Sequence, residues 1–520
     1  MQLKHLSVKD TGCFSSLFTD YIDKSEALKP FYGIYPELEN FEDIIRNRSF
    51  SPEIRQDLTK VLEEQYSGLT LPKKLEENLG QLKKENTYTV TTGHQLNLLT
   101  GPLYFIYKIL TTIKLAESLS IKYPDSNFVP VYWMATEDHD FAEINHFNLF
   151  GQTYTWNKEA HGAVGRLNTR GLEELLKDVP DLPENLKHSY TESRNLAEAT
   201  RKLVTHLFGD KGLVTVNADH AVLKKHMKTL IVKELELTSV HDLVSGTSMR
   251  LSETGYNAQA HVREINLFWL SGSIRERIIR EEDRFKVANT SLNFSLEEIM
   301  KMAEEKPECF SPNVLTRPVY QEQILPNLAY IGGPAELAYW MQLKDAFNHL
   351  DTSFPVLFPR SVAMVINKNT NRKLLKTGIQ PEDLFLKPED ILEKYVYSKS
   401  GEEFSTENEV AQVNKMFEQL QERAVQTDKS LEQFVLAQRQ RILSVLSDTE
   451  KKIRNAGKKR FETEVNQVQN ILDKLFPNGG LQERHENFLN FYINDHSFIE
   501  KLYNNFDPFD FRFKIFIEHE

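Results

Sequence analysis

Five short runs along the chain are rich in β-branched and aromatic residues and end in polar or helix-starting positions: Tyr88–Thr92, Val129–Met134, Leu213–Val216, Leu328–Ile331 and Val356–Phe358. Runs of this length and composition predict buried strands. Between several of them the apolar period lengthens to that of a helix. Thr100–Ser118 is the clearest case, with Leu103, Ile106, Tyr107, Leu110, Ile113 and Leu115 on one broad face. Strand alternating with helix requires crossover connections, and so a mostly parallel sheet. The fold class is therefore α/β, with residues of about 86–400 forming the core.

The flanking regions follow different patterns. Residues 1–85 read as mostly helical and packed on the core, with Ser51-Pro52-Glu53 a helix start. Residues of about 150–300 interrupt the core with elements of their own, including antiparallel strands around Ser271-Gly272-Ser273. From about Glu402 the spacing changes. Val413, Phe417, Leu420, Ala424, Thr427 and Leu431 step by four and three, and Phe461, Val465, Val468, Leu472 and Leu475 do so again. Such a seam predicts a two-helix, antiparallel coiled-coil arm over 401–476, buried against itself or a second subunit. Its turn is expected near Thr427-Asp428-Lys429, with Ser430 to Gln433 as a capping box. The basic run Lys451 to Arg460 reads as a solvated face. The aromatic tail, 477–520, is expected to return to the core.

Charge and composition narrow the function. The 520 residues carry 75 acidic and 63 basic side chains, a net charge of −12, which argues against a nucleic-acid binder. Cys13 and Cys309 are too few for a disulfide framework and suit a reducing cytoplasm. No signal-peptide layout and no bilayer-length apolar run occurs, so a cytoplasmic protein without a membrane partner is expected. The dinucleotide fingerprint G-x-G-x-x-G after a strand, the P-loop spelling and C-x-x-C are all missing, so neither NAD nor a cysteine zinc site is expected.

In parallel sheets, ligands sit beyond the carboxyl ends of the strands. The informative residues are therefore those that follow each run. They are Gly93-His94-Gln95; Glu137, Asp138, His139, Asp140 and Glu143; Asn217-Ala218-Asp219-His220; Gly332-Gly333-Pro334-Ala335-Glu336; and Pro359-Arg360-Ser361. All five ends are polar, which points to one shared cleft. The "EDHD" loop reads as substrate or amine recognition in preference to metal ligation, since four adjacent loop residues rarely converge on one ion. A solvated turn is the plain alternative. His94 suits a general base or a phosphate donor, or equally a satisfied loop histidine. Gly332 and Gly333 open a helix whose free N–H groups suit a carboxylate or phosphate, and the Gly101-Pro102 helix start does likewise. Arg317 and Arg360 suit bidentate carboxylate clamps or surface ion pairs.

Taken together, "TTGHQLNLLTGPLYFIYK", "VPVYWMATEDHDFAEI", "LTRPVYQEQILPNLAYIGGPAELAYW", "FPVLFPR" and "FPNGGLQER" resemble the BshC family, the cysteine ligases of bacillithiol biosynthesis, over nearly the whole chain. Where this chain has His94, family members often carry glutamine. The resemblance implies a Rossmann-like core with insertions like the connecting peptides of class I aminoacyl-tRNA synthetases, plus a coiled-coil arm. It implies amide formation between L-cysteine and glucosaminyl-malate; for that chemistry the residues themselves would set Asp138, His139 or Asp140 on the ammonium. It also implies an ATP or ADP pocket near the arm and the C-terminal segment, with Mg²⁺ where ATP is used; Arg484 is the leading residue there, followed by Asn487 and Tyr492. A homodimer is the expected assembly. The chain has neither H-x-G-H nor a K-M-S-K-S-like loop, so the activation step is left open. A nucleotidyltransferase-like enzyme with another substrate and a non-catalytic nucleotide-binding scaffold stay open as alternatives.

Overall fold

The computed structural model describes residues 1–237, 239–400, 405–460 and 462–519. The predicted runs form one five-stranded sheet: β1 (Thr87–His94), β2 (Asn127–Met134), β3 (Val214–Asn217), β4 (Asn327–Gly332) and β5 (Val356–Pro359). Every pairing is parallel, in the spatial order β5-β4-β1-β2-β3. The chain begins at the central strand, builds outward to β3, then crosses to the other side of β1 for β4. Loops leaving β1 and β4 diverge at that reversal and open a crevice beyond the strand ends. The threonines of β1 are buried yet satisfied: Thr91 donates to Asn327 Oδ1 at 2.8 Å, and Thr92 to the Ile331 carbonyl at 2.9 Å.

The helix after β1 starts later than its apolar pattern suggests, at Tyr104, and runs to Lys122. Leu99, Thr100 and Gly101 have φ of +46°, +71° and +63°, which no helix accommodates. Asn97 packs so tightly under this turn that a Cβ on Gly101 would lie 2.6 Å from its own Cβ. Gly101-Pro102 is thus a left-handed turn and not a helix start. The insertion after β3 carries an antiparallel sheet in which Leu267–Ser271 and Ile274–Glu281 pair around Gly272, as expected. Ser51 caps the helix Pro52–Tyr66. The N-terminal segment is not wholly helical, however. Gln2–Leu6 is a strand, antiparallel to Phe513–Ile517, which in turn runs parallel to Ala363–Ile366.

The arm departs from the expected seam. Helices Glu407–Thr427 and Leu431–Arg460 pair antiparallel, with Arg439 bonded to Asn414 at 2.9 Å and Gln421 to Glu432 at 3.0 Å. Asp428 sits at the turn and accepts the Ser430 N–H. Only Phe417 of the first seam is buried, and Leu420 is 37% exposed. Val468, Leu472 and Leu475 are buried, but in the body, where Glu462–Leu475 packs on the helix Lys368–Thr377. Phe461 and Glu402 lie outside the described residues. The heptad pattern therefore covers two structural roles, a solvent-washed arm and a strut of the core. Among the described residues no helix is long and apolar enough to cross a membrane.

The C-terminal segment is fastened to the core by a buried ion pair. Arg360, just past β5, donates through both terminal nitrogens to Glu483, at 2.6 and 3.1 Å, and the two side chains are 3% and 0% exposed. Gln482 accepts the Val365 N–H and donates to the Val365 carbonyl beside it. Removing one partner of such a pair strands the other charge in the interior. Glu483→Ala is expected to cost about 3–5 kcal/mol in urea unfolding, and Arg360→Met with Glu483→Leu to recover much of it.

Candidate active site

All five strand ends meet at one cavity of about 770 Å³. Gly93, His94 and Gln95 enter it from β1, Thr136 to His139 from β2, Ala218 from β3, Gly333 and Glu336 from β4, and Arg360 from β5. The insertion closes one side with Phe268 and Arg275. Gly93 gives backbone room where it is needed: a Cβ there would stand 3.3 Å from the Tyr330 hydroxyl and 3.4 Å from Arg317 Nη1.

One residue absent from the sequence expectations ties the glycine loops together. Lys108, wholly buried on the helix Tyr104–Lys122, donates to the Gly93 carbonyl and, at 2.8 and 2.9 Å, to both oxygens of Glu336. Glu336 also accepts the Tyr330 hydroxyl at 2.7 Å and the Gly333 N–H at 2.8 Å. The N–H group expected to greet a substrate anion is thus taken by the protein's own carboxylate. Burial pushes the Glu336 carboxyl up, but Lys108 and these bonds outweigh it and hold it below the ordinary range. Gly332 does not border the cavity; its carbonyl accepts the Arg360 N–H. The signal for Lys108 in the sequence is a cation whose helical neighbours, Tyr104, Phe105, Thr111, Thr112 and Leu115, are all uncharged.

The "EDHD" loop is more engaged than a substrate-binding loop should be. Asp138 accepts the N–H groups of His139 and Asp140 on one oxygen and Gln95 Nε2, at 2.8 Å, on the other. Burial raises its carboxyl, but the bonds from His139 and Gln95 and the charge of Arg275 bring it well below the usual carboxylate range. Arg275 donates to His139 Nδ1 at 2.6 Å; a guanidinium only donates, so Nε2 carries the ring proton. Asp140 lies outside the cavity, where it caps the short helix Phe141–Ile144 through the Glu143 N–H. Glu137, the first residue of the loop, is the one that enters the cavity with an oxygen to spare.

Of the two arginines, Arg360 is committed to Glu483, with only its Nε left unpartnered. Arg317 is different. Its partners are neutral, Gln321 at 2.9 Å and the Tyr339 hydroxyl at 3.4 Å, and no carboxylate lies within ion-pair distance among the described residues. Arg484 borders both this cavity and a neighbouring one of about 400 Å³, which the buried Asn97 also lines; the Asn97 Oδ1 has no partner. Asn487 and Tyr492 border neither. Asn487 is fully buried and donates to the Leu99 and Gly101 carbonyls, which holds the left-handed turn, and Tyr492 packs against Phe488 and His496.

His94 faces Tyr104 and Phe105 edge-on or tilted, and its Nε2 has no partner. Burial, and then the charge of Lys108, pushes its imidazole down to about 3. Unfolded, the same group titrates near 6.5, so between these values the unfolded chain holds a proton that the folded chain lacks. Stability contributed this way is present above 6.5 and is lost as pH falls. Replacing His94 by glutamine is expected to shrink the stability difference between about pH 7 and 4.5 by about 2–3 kcal/mol, at ~1.4 kcal/mol per pH unit below 6.5, in paired urea titrations.

Residues 1–361 match the family described as bacillithiol biosynthesis BshC, N-terminal Rossmann-like domain, and residues 363–518 match its C-terminal coiled-coil domain. A protein of Cytophaga hutchinsonii named "Putative cysteine ligase BshC" is 42% identical over 513 residues, covering 99% of this chain and 98% of that protein. Proteins of the same name from Flavobacterium johnsoniae and Bacillus cytotoxicus are 40% identical over 523 residues and 28% over 532, with 98% and 96% of this chain covered and 98% and 97% of theirs. With both parts of the chain matched and the parallel sheet, cavity and arm in place, the chain belongs to the BshC family of bacillithiol biosynthesis.

Proposed function

We propose that the protein is a cysteine ligase that forms an amide between the carboxyl group of L-cysteine and the amino group of glucosaminyl-malate. The observation that carries this reading is Arg317. A guanidinium in a cavity wall with only neutral partners is poised for an anionic ligand, and its planar fork suits a carboxylate such as those of malate. The family relatives' name supports the cysteine half of the assignment.

Amide formation from a free carboxylate requires its activation, which ATP, accompanied by Mg²⁺, would supply. Arg484 and Asn97 at the second cavity are the residues suited to hold an adenine nucleotide, one offering charge and the other an unpartnered amide oxygen. Asn487, already saturated, supports that site by fixing its floor. A homodimer fits the arm, whose Met416, Leu420, Phe434 and Val445 are exposed although apolar.

The direct test is purified protein with glucosaminyl-malate, L-cysteine, ATP and Mg²⁺, with mass-spectrometric detection of the amide. Absence of that product, together with adenylate exchange on other carboxylic acids, would replace this reading by the nucleotidyltransferase alternative. Within the ligase, Arg317→Lys is expected to raise KM for glucosaminyl-malate about ten- to a hundredfold, since lysine cannot reproduce the fork.

A further inference from the structure

We propose that Glu137 is the proton acceptor for the attacking amine, and that its free oxygen, Oε2, is the atom that receives the proton. This rests on the ligase reading above and assigns a role that the other carboxylates of the cavity cannot fill.

The case is one of occupancy. Both oxygens of Asp138 are bonded to the loop and to Gln95. Both oxygens of Glu336 are held by Lys108, with Tyr330 and Gly333 in addition. Asp219, beyond β3, is gripped on both oxygens by Arg166, at 2.7 Å each. His139 Nδ1, the ring's only lone pair, is spent on Arg275. Glu137 differs from all of them. Its Oε1 is pinned by Lys224, a wholly buried side chain that also donates to the Phe310 carbonyl. No described residue bonds its Oε2, and Glu137 lines the cavity with a side chain 12% exposed. A carboxylate fixed by one oxygen and open at the other is oriented without being quenched.

Its surroundings suit a base. Burial pushes the Glu137 carboxyl up from its ordinary value, and the charge of Asp219 adds to this, while Lys224 and Arg275 oppose it. Arg166 and the buried Tyr320 complete the charged and titratable groups around it. A carboxylate whose proton affinity is raised is a better proton acceptor than one held below its ordinary range, as Asp138 and Glu336 are.

The step balances as follows. The substrate ammonium gives one proton to Glu137 Oε2, and the freed lone pair forms the C–N bond with the acyl carbon of cysteine. The bond from that carbon to the oxygen of its activating group breaks, and the group leaves with the electron pair. The activating group comes from a nucleoside triphosphate. The second N–H proton leaves to water, and Oε2 then releases the first.

The test compares two nucleophiles in the intact enzyme with L-cysteine, ATP and Mg²⁺: glucosaminyl-malate, and hydroxylamine, whose nitrogen is already unprotonated at neutral pH. Glu137→Gln is expected to lower kcat with glucosaminyl-malate about 10²–10⁴-fold while hydroxamate formation stays within about fivefold, and to lose the acid limb of the wild-type pH–rate profile. Glu137→Asp, which keeps a charge opposite Lys224, should fold even where the glutamine variant does not, and should show the same selective loss in weaker form. Equal losses with both nucleophiles, or no loss with either, would overturn the assignment of Glu137. Failure of the wild-type enzyme to make either product would instead overturn the ligase reading, and this assignment with it.

Discussion

A single ammonium group fixes the geometry on which the cavity depends. Lys108 is removed from water on the back of the sheet, where an unpaired charge would be prohibitive, and it therefore holds whatever acceptors reach it. Those acceptors are the Gly93 carbonyl after β1 and the Glu336 carboxylate after β4. The two loops belong to paired strands that meet at the reversal of the sheet, and the ladder between them ends at Thr91 opposite Tyr330, short of both tips. The buried lysine joins the two loops beyond that point. Burial lowers its own proton affinity, and the Glu336 charge opposes the effect, so the pair is held together by the cost of separating it.

From that anchor the polarity of the cavity sorts into committed and uncommitted groups. Arg360 and Glu483, Arg166 and Asp219, and Arg275 with His139 are pairs whose hydrogen-bonding capacity is largely used inside the protein. They set shape and local potential. Arg317, at the start of the helix Arg317–Ile324, and Glu137, in the loop after β2, are left with capacity facing the open space, one cationic and one anionic. A ligand that carries both an anion and an ammonium matches that division. The occupancy of each oxygen and nitrogen says more about chemistry here than the mere presence of acidic or basic residues.

The five core strands were legible in the sequence because each is buried on both faces and reads as an uninterrupted β-branched or aromatic run. Their polar ends were legible for the same reason, since the change in composition is abrupt. What could not be read was the hydrogen-bond partner of each polar group. The helix after Gly333 looked open to an anion because Glu336, three residues on, could not be seen to fold back. Asn487 looked like a ligand group because its distance in sequence from Leu99 and Gly101 concealed that they are neighbours. The four-three spacing of the arm was real, but periodicity states only that a helix has an apolar stripe. It does not say whether the stripe meets a partner helix, the protein body, as for Val468 and Leu472, or solvent, as for Leu420. The strand Gln2–Leu6 was missed because an edge strand with one partner needs no strong apolar signal.

The last strand of the chain, Phe513–Ile517, lies between the first, Gln2–Leu6, and Ala363–Ile366. This arrangement sets the order in which the protein can mature on the ribosome. Gln2–Leu6 has only one neighbour in its sheet, and that neighbour follows it far along the chain. The Ala363–Ile366 strand waits in the same way, and Arg360 beside it has no counter-charge until Glu483 has been synthesised. Long-range pairings of this kind are slow to form because the closure of the intervening chain must come first. A nascent chain arrested after β5 and before the C-terminal segment would carry the strands of the parallel sheet yet lack the pieces that seal its crevice, leaving an unpaired strand edge exposed. The cavity is therefore complete only once the segment carrying Glu483 and Arg484 has closed on the sheet.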